Sequence, residues 1–118
     1  MYYKQETGKT GEDIASEYLE KNKYSIIERN FRCNQGEIDI VAVDKNEIVF
    51  IEVKTRSNKN FGLPSEAVNI EKKKHLKRAI EYYVYIKKLE KCFIRIDVIE
   101  IYIKNNKIYL NHIKQAIE

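Results

Sequence analysis

Apolar and polar positions along the chain change period several times, and each change marks an element. From about Lys9 or Thr10 to Lys21 the apolar residues recur at helical spacing. At about 100° per residue, Ile14, Ala15, Tyr18 and Leu19 fall on one arc, with Asp13, Glu17 and Glu20 opposite. Glu12 falls beside Leu19 at the edge of that arc, so one acid of this helix is expected to look toward the sheet. Thr10 suits the N-cap, with Glu12 and Asp13 in the first turn, where acids favour the helix dipole.

The period then shortens to two. Tyr24–Arg32 reads as a strand and Asn34-Gln35-Gly36 as a turn. Glu37–Val43 is the next strand, Asp44-Lys45-Asn46 a tight turn, and Glu47–Thr55 a third strand. Connections this short predict an antiparallel meander. Ser57–Pro64 reads as a polar loop. A long helix follows, from about Ser65 or Ile70 to Leu89, with Leu76, Ala79, Ile80, Tyr83 and Ile86 as its buried stripe. Phe93–Ile103 is a strand, Asn105-Asn106 a turn and Lys107–Ile113 a last strand. The order α-β-β-β-α-β-β predicts an α/β fold, a mixed central sheet flanked by helices.

Alternation assigns faces. Along Glu37–Val43, Glu37, Asp39 and Val41 share one face, and Ile38, Ile40 and Ala42 the other. Along Glu47–Thr55, Ile48, Phe50, Glu52 and Lys54 share one face, and Val49, Ile51 and Val53 the other. This strand is apolar on both faces until Glu52, as expected of a strand covered on both sides. A carboxylate there is costly to desolvate unless something pairs with it. Lys54 is one candidate partner and a metal ion another. If Asp44-Lys45-Asn46 is the turn, Asp39 and Glu52 are near cross-strand neighbours, about 5 Å apart, and one divalent cation can bridge them. Hard oxygen ligands suit Mg²⁺ or Mn²⁺. Lys54 can then orient or deprotonate a water, or neutralise charge in the transition state, and Glu12 can approach from the first helix.

Composition narrows the class without naming a function. The 118 residues suit a single domain, and 43% hydrophobic content supplies one modest core. No apolar run approaches the roughly 20 residues of a membrane span, and the N-terminus carries no signal-peptide segment. Cys33 and Cys92 fit no metal spacing and read as reduced thiols, so a cytoplasmic protein is expected. The net charge of +4 decides little. Its placement says more: Lys72, Lys73, Lys74, Lys77 and Arg78 crowd one segment, and Arg56 follows the acidic motif. A polyanion partner fits these residues as phosphate contacts, but on charge alone a solvated lysine-rich helix face is the simpler reading.

The stretches Gly8-Lys-Thr-Gly-Glu-Asp-Ile-Ala15, Arg29-Asn-Phe-Arg32, Gly36-Glu-Ile-Asp-Ile-Val41, Val49-Phe-Ile-Glu-Val-Lys-Thr-Arg56, Phe61-Gly62, Lys72–Lys74 and Arg95-Ile-Asp-Val98 span nearly the whole chain. In them the chain resembles the YraN-like family of predicted endonucleases, within the PD-(D/E)xK, restriction-endonuclease-like superfamily, related to archaeal Holliday-junction resolvases. The resemblance implies a core of helix, three strands, helix and strand. It implies Asp39 and Glu52 as metal ligands, Lys54 as catalytic lysine and Glu12 as the helical acid, with Mg²⁺ or Mn²⁺ as cofactor. Glu37 lies in the same stretch with no role assigned. The substrate implied is DNA, branched or structured, and the junction-cutting relatives suggest a homodimer.

Other readings stand beside this one. Glu52 and Lys54 can simply form a structural ion pair. The scaffold can bind nucleic acid, or act as an adaptor, without cutting. Gly8-Lys9-Thr10-Gly11 lacks the preceding strand of a phosphate loop and reads as helix entry. His75 is expected to face solvent, and His112 reads as incidental. The nine tyrosines read mainly as packing, Tyr83 above all, although tyrosines can stack on bases.

Overall fold

The computed structural model describes residues 2–4, 9–56 and 70–117. In chain order the elements are β1 (Tyr2–Lys4), α1 (Gly11–Lys21), β2 (Ser25–Cys33), β3 (Gly36–Asp44), β4 (Glu47–Arg56), α2 (Ile70–Ile86), β5 (Phe93–Lys104) and β6 (Lys107–Ile117). They build one mixed sheet in the order β1-β6-β5-β4-β3-β2, in which only β4 and β5 run parallel. The α-β-β-β-α-β-β order and the meander are as the sequence predicts. The short β1, paired with β6, was not predicted, because three residues are too few to show a period. The expected loop Ser57–Pro64, the Ser65 helix start and Phe61-Gly62 lie outside the described residues.

The sheet is covered on both faces. α1 lays Ile14, Ala15 and Leu19 against Ile40, Ala42, Val49, Ile51, Ile99 and Ile101. α2 lays Leu76, Ala79, Ile80 and Tyr83 against Ile38, Val41, Phe50, Ile96 and Val98. Val49, Phe50 and Ile51 are fully buried, so β4 is the centre of the core, as its two-sided apolar run predicts. Ile86 departs from expectation: it is 39% exposed at the last residue of α2, where the stripe stops. α1 opens on a capping box in which the Thr10 hydroxyl accepts from the Asp13 N–H and the Asp13 carboxylate accepts from the Thr10 N–H. Two glycines set how closely the helices lie on the sheet. A Cβ on Gly11 would collide with the Thr55 hydroxyl at the end of β4, and one on Gly36 would meet the His75 carbonyl oxygen of α2 at 2.7 Å.

Alternation fails within β3. Ile38 and Ile40 are two apart, yet Ile38 packs under α2 and Ile40 under α1. The expected grouping of Ile38 with Ile40 and Ala42 is therefore corrected. Two features coincide with the reversal. Asn30, across from it in β2, has a left-handed φ of 54°. The β3–β4 ladder also stops at the Ile40–Ile51 pair.

Beneath α1 lies a buried polar network. Asp97, with no exposed surface, receives a two-pronged contact from Arg95 (Nε to Oδ1 2.9 Å, Nη2 to Oδ2 3.0 Å). It also accepts from the Gln115 N–H at 2.9 Å and contacts His112 Nε2 at 2.7 Å. The carboxylate calls for a proton on Nε2, and the Tyr18 hydroxyl lies 2.9 Å from Nδ1. Arg95 reaches on to Tyr24, Asp44 and Glu47. His112 is thus a buried structural residue rather than an incidental one. Burial pushes the Asp97 carboxyl up, but the bonds from His112, Arg95 and Gln115 outweigh it and hold the pKa below the usual range.

Asp97→Ala leaves Arg95 and His112 buried with partners missing, and is expected to cost about 3 kcal/mol in urea unfolding at pH 7. Because the folded pKa is depressed, the stability this carboxylate contributes is present above its unfolded pKa of 3.8 and lost as pH falls through the lower folded value. The gap between wild type and variant should therefore narrow below pH 4.

Candidate metal centre

The break in the β3–β4 ladder creates the site. The next pair in register would be Asp39 and Glu52. There the Asp39 side chain takes over from backbone pairing, and Oδ2 accepts the Val53 N–H at 2.8 Å. The expected juxtaposition of Asp39 with Glu52 is observed: both line one cavity of about 200 Å³, together with Glu37, Val53, Lys72 and Leu76. Glu52 is 7% exposed although it carries a carboxylate.

Glu12 joins from the opposite layer. The absence of a Cβ on Gly11 lets the first turn of α1 settle on the end of β4. With its amide nitrogen turned toward the acid, Asn30 donates to both Glu12 oxygens, at 2.7 and 2.8 Å. The left-handed Asn30 in β2 therefore positions Glu12 and flanks Asp39. Asn tolerates this backbone conformation better than most residues, which is the one signal in the sequence that could have flagged it.

Charge accumulates around Asp39. Its pKa is raised to about 6: burial is the main cause, the Val53 N–H opposes it, and Glu12, Glu52 and Glu37 add like charge. Such crowding is unfavourable for an ionised aspartate and is relieved by a cation. The donor set is hard oxygen, which fits Mg²⁺ or Mn²⁺. Among the described residues no three His, Cys, Asp or Glu side chains close into a metal-holding group. Two carboxylates with solvent and substrate oxygens completing the sphere is the common arrangement for Mg²⁺.

The basic residues separate. Lys54 lies on the Glu52 face of β4 but lines a second cavity of about 180 Å³, with Lys73, Val98, Glu100 and Ile113. Lys72 pairs with Glu52 at 3.4 Å. Arg56 is 8% exposed and its Nε lies 3.4 Å from Glu100, so its guanidinium is turned into the sheet rather than outward. Lys74, Lys77 and Arg78 are exposed and point away from the buried stripe of α2. His75 contacts the Gln35 carbonyl at 3.1 Å.

Residues 11–101 match the model of the family described as "Uncharacterised protein family UPF0102". A UPF0102 protein of Caldicellulosiruptor saccharolyticus is 50% identical over 96% of this chain and 98% of its own length. One from Caldanaerobacter subterraneus is 45% identical over 96% and 95%. One from Clostridium perfringens is 47% identical over 97% and 95%. The YraN-like family, to which the sequence motifs point, is this same family. On this match across nearly the whole chain, the protein belongs to the UPF0102 family.

Proposed function

We propose that this chain is a divalent-metal-dependent nuclease of the PD-(D/E)xK kind, hydrolysing phosphodiester bonds in branched or otherwise structured DNA. The observation that carries this reading is the surroundings of Asp39: a partly buried carboxyl with a raised pKa, in one cavity with Glu52 and Glu37 and under the charge of Glu12. Crowded like charge has little structural purpose, and it suits a site that waits for a cation.

Asp39 and Glu52 would hold Mg²⁺ or Mn²⁺. Bound there, the ion supplies Lewis-acid polarisation of a phosphate oxygen and a water of lowered pKa. The chain's own residues do the rest. The Val53 N–H keeps the Asp39 carboxylate aimed into the cavity. Glu12, held by Asn30, is placed to accept a proton or to anchor solvent. Lys54, two residues beyond Glu52 on the same face, supplies positive charge for the phosphate as negative charge builds on it. Lys73, which lines the same cavity as Lys54, adds to that charge, while Lys74, Lys77 and Arg78, on the outer side of α2, would meet phosphates farther along the nucleic acid.

A second reading has one observation in its favour. No metal-holding group of three side chains is closed among the described residues, as expected of a scaffold that binds nucleic acid without cutting it.

The deciding assay is cleavage of duplex, single-stranded and four-way-junction DNA in Mg²⁺ or Mn²⁺. Wild type should cut at least one. Asp39→Ala, Glu52→Ala and Lys54→Ala should each lower the rate by at least about 10²-fold, the scale for removing one charge-stabilising group. Salt-sensitive binding without cleavage, unchanged in Asp39→Ala, would establish the second reading.

The raised pKa gives a metal-free prediction. The folded value of about 6 lies above the unfolded 3.8, so ionised Asp39 weakens the fold: the penalty is absent below pH 3.8 and complete above about 6. In EDTA, Asp39→Asn should melt higher than wild type at pH 7.5, and the two should converge by pH 3.5. Equal melting temperatures at both pH values would contradict it.

A further inference from the structure

The contact between Lys72 and Glu52 assigns the lysine a task of its own. Glu52 Oε1 lies 3.4 Å from Lys72 Nζ, and the two side chains differ sharply in exposure: 8% for the glutamate, 60% for the lysine. The carboxylate is fixed in the wall of the cavity, beside the like charge of Asp39. The ammonium rides on a flexible stem at the start of α2 and stays largely in water. Lys72 is also on the side of α2 that carries Leu76, Ala79 and Tyr83, so the helix delivers it to the cavity. Lys74, Lys77 and Arg78 face the other way.

A buried carboxylate needs a counter-charge, whereas an exposed ammonium loses little on letting go. We infer that Lys72 is the resident cation of this site: it neutralises Glu52 until a divalent cation takes that carboxylate, then turns to a phosphate oxygen of the nucleic acid. The inference rests on the metal-site reading of Asp39 and Glu52. It adds an exchange in which one side chain serves two anions in turn, so metal occupancy and nucleic-acid affinity rise together. No bond is made or broken; a carboxylate changes partner and an ammonium is released.

Manganese binding is measured by calorimetry on the full chain, for wild type, Lys72→Met and Lys72→Arg. Removing the competing charge should tighten Mn²⁺ binding by about fivefold in Lys72→Met, the scale of a partly exposed ion pair, while Lys72→Arg stays near wild type. In EDTA, Lys72→Met should melt lower than wild type, because Glu52 is left unpaired, and saturating Mn²⁺ should abolish that deficit. A purely structural lysine would lower stability equally with and without metal. The hand-over is read with Ca²⁺ in place of Mn²⁺ and a four-way junction as probe. Lys72→Met should weaken binding and reduce the slope of log affinity against log salt by about one in Ca²⁺, with no effect in EDTA. If Lys72→Met does not fold, Lys72→Gln takes its place. Equal or weaker Mn²⁺ affinity in the variant overturns the exchange. A salt slope that ignores Ca²⁺ overturns the hand-over. Wild type that binds no Mn²⁺ at all overturns the metal-site reading as well.

Discussion

The bond from the Val53 N–H to the Asp39 carboxylate is the constraint on which the site depends. A backbone donor at the end of a ladder must find an acceptor or be left costly and unpaired. Here a side chain takes the place of a strand carbonyl. That exchange lets β3 and β4 part without an orphaned amide, at the point where Ile38 and Ile40 lie on opposite faces. It also commits one aspartate to two tasks, closing the sheet and carrying charge into a cavity. The pKa near 6 reflects the conflict, since burial and three neighbouring glutamates outweigh the N–H that steadies the ionised form.

The rest of the fold can be understood as support for that strained corner. β4 is covered on both faces and supplies an immobile base, with Val49, Phe50 and Ile51 entirely buried just before Glu52. The hydrophobic contacts that hold β4 are non-directional, so they fix where the strand lies but not where its polar end points. Direction comes from polar contacts: the hydrogen bonds from Asn30 to Glu12 and from the Val53 N–H to Asp39, and the ion pair of Lys72 with Glu52. At the Asp44–Glu47 end of the same sheet, Arg95 ties Asp97, Asp44, Glu47 and Tyr24 together. The described residues thus carry one network in which buried charges of opposite sign are paired and one corner in which like charges crowd together. The second has the stronger reason to take a cation.

What could be read from residues alone follows the same division. The two-sided apolar run in β4, the Thr10 cap, the helical arc of α1 and the tight turns are local signals, and each has its predicted place in the fold. The juxtaposition of Asp39 and Glu52 needed only the turn and the strand period. The reversal at Ile38 was hidden, because a side chain acting as ladder acceptor leaves no periodic trace. His112 and Asp97 are 15 residues apart, and nothing in either neighbourhood announces the other. Lys72 and Arg56 looked like members of one basic patch. Burial separates them: each has a carboxylate partner whose position depends on tertiary packing.

The two close-packed glycines have a consequence for how this corner can fail. Gly11 and Gly36 bear no charge, yet each is a spacer of zero thickness between a helix and the sheet. A methyl group at the first would have to displace the Thr55 hydroxyl, against which the turn of α1 that carries Glu12 is seated. At the second it would pry α2 from the β2–β3 turn and draw Lys72 away from Glu52. Tolerances at the acidic corner are therefore set by the smallest side chains in the protein, and a change there would alter its electrostatics by displacement alone, with every ionisable group still in the sequence.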